Sequence, residues 1–385
     1  MKAMILAAGK GTRVRPITLA TPKPMIPLIN KPVMESIIEL LQGHGIDDIV
    51  INTSHLAPAI EDYFRDGRRW DVSLSYSFEG FIENGQIHSQ AIGSAGGMRK
   101  VQDFSGFFDD TFVVLCGDAL IDLDISSAIR QHRDKGALAT IVMQDVPVDQ
   151  VGKYGVVQTN TEGRILQFQE KPRPEEAVSS TVNTGIYIFE PEIFKHIPAG
   201  VEFDIGSQLF PDLVAKQLPF YGVTLPFQWL DIGSITDYWH ATRSLLKGRF
   251  QGYELPGREI QPGVRVGSNI SMNPAAVAIR GPVYIGSGCR IGDGAVIDGP
   301  AVIGANSVIE PGARINECIL GDYTYISQVA RFDRKIILNG HCIRPDGVFV
   351  DCNEADLGWL VGDARQHREI DDARQLLIRL AQLAA

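Results

Sequence analysis

The chain has 385 residues, 44% of them hydrophobic, with 46 Asp and Glu against 36 Lys and Arg for a formal net charge of −10. That length accommodates two or three domains, and the acid excess excludes a general nucleic-acid or anionic-membrane surface, so any polyanion site must be local. Five cysteines without a CxxC pair read as reduced thiols of a cytoplasmic protein, and no apolar run is long enough for a signal segment or a membrane span.

The first 34 residues carry six basic side chains and no Asp or Glu. Their apolar run Ala3–Ala8 predicts a core strand, and Gly9 and Gly11 follow as a turn that exposes backbone N–H groups. N–H groups, a following helix N-terminus and nearby Lys or Arg all favour phosphate. The turn is neither a P-loop nor a full dinucleotide fingerprint, and a GxG alone often just closes a tight turn. Arg13 and Lys23 add to it, because the prolines flanking Lys23 fix its backbone and lower the entropy of aiming its ammonium. A surface lysine in a rigid loop is the alternative.

Further strands are predicted at Ile49–Thr53, Ser73–Phe78, Thr111–Cys116, Leu138–Met143 and Thr184–Phe189. Helices are predicted near Val33–Gly43, Pro58–Arg65, Ser126–Lys135 and Ile235–Leu246. This alternation predicts an α/β domain over residues 1–250, a mostly parallel sheet with helices on both faces and binding residues at the strands' carboxyl ends.

Two aspartates end strand-like runs, Asp118 after Thr111–Cys116 and Asp231 after Phe227–Leu230. A hard carboxylate facing a phosphate loop suits Mg²⁺, and two such aspartates suggest a shared metal; capping the next turn is the competing role. Glu170-Lys171-Pro172 follows the strand-like run Arg164–Gln169, so Lys171 suits a second phosphate and Glu170 a sugar hydroxyl, unless they form a surface ion pair. Gly155 and Asn183 add groups of the type that line sugar pockets. None of the eight histidines stands in a pattern with a candidate nucleophile.

Residues 251–262 read as a linker. Beyond them Ile279, Ile285, Ile291, Ile297, Ile303, Ile309 and Ile315 recur every six residues, the signature of a parallel β-helix over 263–330. No histidine lies between His240 and His341, so an acyltransferase site that needs a coil histidine is disfavoured. The extension 331–385 ends in an amphipathic stretch, with Ile370, Ala373, Leu377 and Leu380 on one helical face, predicting a helix that caps the coil or joins an oligomer.

The segments Leu6–Arg13, Pro22–Met25, Gly93–Gly97, Gly117–Leu120, Tyr154–Val157, Glu170–Pro172, Asn183–Tyr187 and Asp231–Gly233 together resemble the nucleotide-sugar pyrophosphorylases, or sugar-1-phosphate nucleotidyltransferases. The full-length pattern is most similar to the cyanobacterial UDP-glucose-forming group and also resembles the GDP-mannose-forming enzymes. The resemblance implies a Rossmann-like nucleotidyltransferase domain followed by a left-handed β-helix. It implies that Leu6, Ala8, Gly9, Gly11 and Thr12 surround the nucleotide, with Arg13 on the departing pyrophosphate and Gly93 near the base. Lys23 would bind phosphate at the reacting centre, and Asp118 and Asp231 would hold Mg²⁺. Lys171 would grip the sugar 1-phosphate, with Gly155, Glu170 and Asn183 at the sugar. A glutamine near Glu79 is common in family members that use UTP or TTP; a carboxylate there only accepts, which suits guanine's donors. Whole-chain similarity favours UTP and glucose 1-phosphate, with GTP and mannose 1-phosphate as the alternative and a catalytically silent subunit as a third reading.

Overall fold

The computed structural model describes residues 1–366. The expected C-terminal helix face, Ile370 to Leu380, lies outside the described residues. The chain forms two compact units. The first comprises Met1–Gly11, Thr21–Met25 and Val33–Leu230; the second comprises Thr12–Ala20, Ile26–Pro32 and the chain from Asp231 on. The helix Ile235–Leu246, expected in the first domain, therefore groups with the second.

In the first unit, the strand Lys2–Leu6 lies parallel to both Asp48–Thr53 and Phe112–Cys116, and Ser73–Phe78 continues the parallel half beyond Asp48–Thr53. The other half is largely antiparallel: Thr181–Phe189 runs against Phe112–Cys116 and Ala139–Asp145, and Gly155–Thr159 against Ile165–Glu170. Successive residues of the central strands serve opposite cores, as a doubly covered sheet requires. Ala3, Ile5, Ile49, Ile51, Val113 and Leu115 pack with the helices Val33–Gly43, Ala57–Phe64 and Ile125–Asp134. Met4, Val50, Phe112 and Val114 pack with the helices Ser94–Ser105 and Phe210–Ala215.

The last two helices have no counterpart in the sequence reading. Ser94–Ser105 has glycines in its first turn, residues of poor helix propensity, so tertiary packing of Ala95, Met98 and Val101 decides the matter. The stretch from Gly80 onward is a hairpin of Gly80–Glu83 on Gln86–Ser89.

The second unit is a coil of short parallel strands. Ile279 lies beside Ile297 and Ile297 beside Ile315, while Ile285 lies beside Ile303 and Ile291 beside Ile309. Each inward aliphatic thus rests on one eighteen residues further along, three six-residue sides per turn. The coil outlasts the strict sequence period in both directions. Val266 and Met272 stack under Ile285 and Ile291, although one extra residue separates Met272 from Ile279. After Ile315 one side shortens to five residues, so Ile303 meets Leu320, Ile315 meets Phe332 and Leu320 meets Ile337.

The helix Ile235–Leu246 is fastened to this coil. Ser234 caps it, accepting from the Asp237 N–H at 3.1 Å, and Arg243 donates to Glu317 at 2.7 Å. Tyr238 donates to the Pro27 carbonyl at 3.0 Å, which ties the segment Ile26–Pro32 to the same unit.

Candidate active site

In the first unit the strand ends converge on a cleft of about 340 Å³. Of the residues singled out in the sequence, Leu6, Ala8, Gly9, Glu79, Gly93, Asp118, Glu170 and Asn183 line it. They come from six separate chain segments, which reach the cleft at or near one end of a strand or at the start of a helix. That is the place ligands occupy in open α/β sheets.

The chain leaves its first strand at Ala7, whose N–H donates to the side-chain Oδ1 of Asn52 at 2.7 Å rather than to a backbone carbonyl. Gly117 closes the next strand end, donating to the Leu6 carbonyl at 2.9 Å; a Cβ there would stand 3.1 Å from that same oxygen. Gly117 so brings Asp118 against the first strand's exit. The Asp118 carboxylate pairs with the ammonium of Lys23, whose side chain is only 12% exposed. Lys23 therefore meets a carboxylate of the cleft, as a buried ammonium requires.

Glu170 lies between two glycines. A Cβ on Gly206 would stand 2.8 Å from its Oε2, and one on Gly155 would stand 3.1 Å from that atom and 2.5 Å from the Phe168 ring. Gly155 thus does not line the cleft itself but makes room for Glu170. Lys171 pairs with Glu170 Oε1 at 2.8 Å and its side chain is 53% exposed. Asn183 is held from both ends, accepting from Gly185 N at 2.9 Å and donating to Tyr187 Oη at 3.0 Å. Burial drives the Tyr187 phenol well above its ordinary pKa, so it stays neutral.

Glu79 is 1% exposed, and both of its oxygens already accept protein donors: Oε1 from Asn52 Nδ2 at 2.7 Å and Oε2 from Ile92 N at 3.0 Å. Burial raises its pKa, opposed by those two hydrogen bonds and by the charge of Lys100. With one protein donor already on each oxygen, the carboxylate has fewer free acceptor sites for a guanine, which weakens the physical reason for expecting GTP. Glu79 is a strut. Asn52 joins it to the Ala7 exit, and Ser54 Oγ donates to its carbonyl at 2.7 Å.

The Gly93–Gly97 segment is the start of a helix. Gly93 has φ +78° and would clash with the Phe203 backbone if it carried a Cβ, and a Cβ on Gly97 would stand 2.3 Å from Glu79 Oε1. The helix so begins at the cleft, with Ser94 donating to Asp204 at 2.8 Å. Burial works against ionisation of Asp204, but hydrogen bonds from Ser207, Ser94 and Gly206 outweigh it and hold the carboxyl below its usual range.

Asn52, Cys116, Tyr187 and Asp204 also line the cleft and went unrecognised in the sequence. Asn52 and Cys116 sit at or near strand ends, which was the available signal; Asp204 follows no strand and had none. Gly11 is in the left-handed region at φ +61° and, like Lys171, does not line the cleft. Thr12, Arg13 and Asp231 belong to the second unit. There Thr12 and Arg13 are exposed on a single 3₁₀ turn, Thr12–Val14. Asp231 ends the strand Trp229–Asp231, and a Cβ on Gly233 would stand 2.7 Å from its Oδ2. Its carboxylate folds back over the Gly233 backbone just ahead of the helix cap.

No group of three or more His, Cys, Asp or Glu side chains forms a metal cage among the described residues. A magnesium site needs none: one or two carboxylates with substrate phosphates suffice, and Asp118 is a hard oxygen donor on the wall of the cleft. The donor set fits.

Residues 2–248 match the family described as Nucleotidyl transferase. The chain is 51% identical to the UTP–glucose-1-phosphate uridylyltransferase of Synechocystis sp., over 99% of its own length and 100% of that protein. It is 28% identical to the mannose-1-phosphate guanylyltransferase of Mycobacterium tuberculosis over 83% of this chain and 79% of the relative. Among solved structures, UDP-glucose pyrophosphorylase complexed with UDP-glucose superposes with a TM-score of 0.54 at 24% identity, covering 64% of this chain and 99% of that one, a likeness of fold. A glycine-rich strand exit, a carboxylate paired with a buried lysine and a match across the whole first unit lead to one conclusion: the chain belongs to the nucleotidyl transferase family.

Proposed function

We propose that the protein is a UTP:glucose-1-phosphate uridylyltransferase, forming UDP-glucose and pyrophosphate. The observation that carries the choice is likeness to the Synechocystis uridylyltransferase from end to end, coil included, where the guanylyltransferase likeness is much weaker. The protein donors on both Glu79 oxygens support it by weakening the argument for guanine.

A phosphate oxygen of the sugar 1-phosphate attacks the α-phosphorus of the nucleotide in line, and pyrophosphate departs with the electron pair. The attacking oxygen is already ionised, so no general base is called for. The protein's task is to hold two polyanions together and stabilise charge during transfer. In this reading Lys23 binds phosphate at the reacting centre, and Lys171 steers the sugar 1-phosphate from the cleft's solvent side. Arg13 meets the leaving pyrophosphate. Gly9 and Gly11 leave backbone N–H groups for the nucleotide phosphates, and Glu170 and Asn183 orient the sugar. Asp118 would hold Mg²⁺, which when bound would supply positive charge to the substrates' phosphates. Nucleotidyltransferases of this kind generally use a divalent metal, and magnesium is our specific assignment.

Pyrophosphate release measured across UTP, GTP, TTP and ATP with glucose 1-phosphate and mannose 1-phosphate tests the reading. Release fastest with UTP and glucose 1-phosphate is expected. Preference for GTP and mannose 1-phosphate would replace it, and silence with every pair would point to a regulatory subunit.

A further inference from the structure

A second cleft, of about 430 Å³, lies wholly within the second unit. Its walls are the helix Ile235–Leu246, through Thr236, the buried Trp239 and His240, the coil corner carrying Arg334 and Lys335, and the loop at Arg344. The walls are tied together, since Thr236 Oγ1 donates to the Pro345 carbonyl at 2.8 Å and Arg243 bridges the helix to Glu317. The cleft therefore exists before any guest arrives, which removes much of the ordering cost of binding.

Its charge runs against that of the chain. Of the two acids lining it, Asp346 is neutralised by Arg344 at 2.5 Å, whereas Asp333 accepts from the neutral Asn316 amide and keeps its charge. Lys335 reaches only a neutral acceptor, the Asp333 carbonyl at 2.9 Å. Among the described residues no carboxylate pairs with Arg334 or Lys335. Arg334 and Lys335 so outnumber the one unneutralised acid, Asp333, on the wall of a preformed cavity in a protein of net charge −10. Arg offers a planar fork and Lys a compact point charge, the pair of donors that phosphate groups recruit. The volume exceeds that of a bare ion and suits a small phosphorylated metabolite.

We propose that this cleft binds the phosphate group of such a metabolite through Arg334 and Lys335, at a site separate from the strand-end cleft and independent of the functional reading above. Isothermal titration of the full chain with inorganic phosphate, glucose 6-phosphate and AMP, each in the presence of excess UDP-glucose, tests it. At least one probe is expected to bind with a dissociation constant below about 1 mM. Arg334→Gln and Lys335→Glu are each expected to weaken that binding about tenfold or more, with the thermal midpoint and pyrophosphate release measured without added phosphate unchanged. The two variants probe opposite changes, loss of a fork and reversal of a charge, so misfolding of one leaves the other decisive. No heat with any probe, or equal affinity in a folded variant, overturns the proposal. Binding is read without turnover, so a failure of uridylyl transfer would refute the catalytic reading alone.

Discussion

The strand-end cleft and the coil use glycine and aliphatic side chains in opposite ways. In the coil one solution is repeated: Ile285 on Ile303, Ile291 on Ile309, Ile297 on Ile315, each buried to 4% exposure or less. In the cleft every contact is made once. Gly97 makes room for Glu79, Gly155 and Gly206 for Glu170, Gly117 for the exit of the first strand, and no two of these arrangements are alike. Periodic stacking spreads stability over many equivalent contacts, whereas a constellation assembled from six chain segments concentrates function in a few that have no substitute.

That contrast predicts where activity and stability part company. The largest effect is expected at Asp118→Asn, which keeps the side chain's shape and removes its charge. Pyrophosphate release should fall by roughly 10²–10³, as for loss of a group that stabilises transfer, and the thermal midpoint should fall only as far as the loss of Lys23's partner dictates. Unchanged kcat would remove Asp118 from the reacting centre. In the coil the reverse holds. Ile303→Ala should cost about 2–5 kcal/mol of stability, read by chemical denaturation, while leaving KM for both substrates alone.

A glycine pair sharpens the comparison within the cleft. Gly97→Ala forces a methyl group against the Glu79 carboxylate and should destabilise by about 1–3 kcal/mol. Gly9→Ala meets no protein atom within 4 Å, so its thermal midpoint should hold while pyrophosphate release drops. Equal stability losses in the two would mean that Gly9 is a packing residue. Glu79→Gln is expected to slow all nucleotides alike, because one amide cannot accept at both oxygens as the carboxylate does for Asn52 and Ile92. A switch in base preference would restore Glu79 as the base reader.

The smallest effect concerns pH. The folded state holds the Asp204 carboxyl below its unfolded value, so this group stabilises the protein above the unfolded carboxylate pKa. That contribution is lost as pH falls through the lower, folded value. The thermal midpoint of Asp204→Asn should therefore differ from that of the parent most near neutrality and least in strong acid.

Much of this molecule was written in local pattern. The central strands and the helices Val33–Gly43 and Ile235–Leu246 announce themselves by apolar period, and the coil by seven isoleucines in step. Pattern also located Gly9, Asp118 and Glu170, because strand ends followed by glycine or carboxylate are visible along the chain, and Asn183 as a polar group at the start of a strand. Three things were not visible. The coil continues past Ile315 with one five-residue side per turn, a change of length that destroys the sequence period but not the stacking. The helix Ser94–Ser105 opens on glycines that argue against it until Glu79 and Phe203 are seen pressed upon them.

The third was the state of the charged groups. Sequence alone supplied the inventory of cations and acids and the order in which strands deliver them, because chain direction and side-chain period are local properties. Only tertiary structure decided which charges meet. Lys23 falls to Asp118 and Lys171 to Glu170, Glu79 is consumed by Asn52 and Ile92, and Arg334 with Lys335 is left facing a cavity. Pairing depends on distances of a few ångströms between residues up to a hundred positions apart, and the cost of burying an unpaired charge enforces those distances without leaving a mark on composition or period.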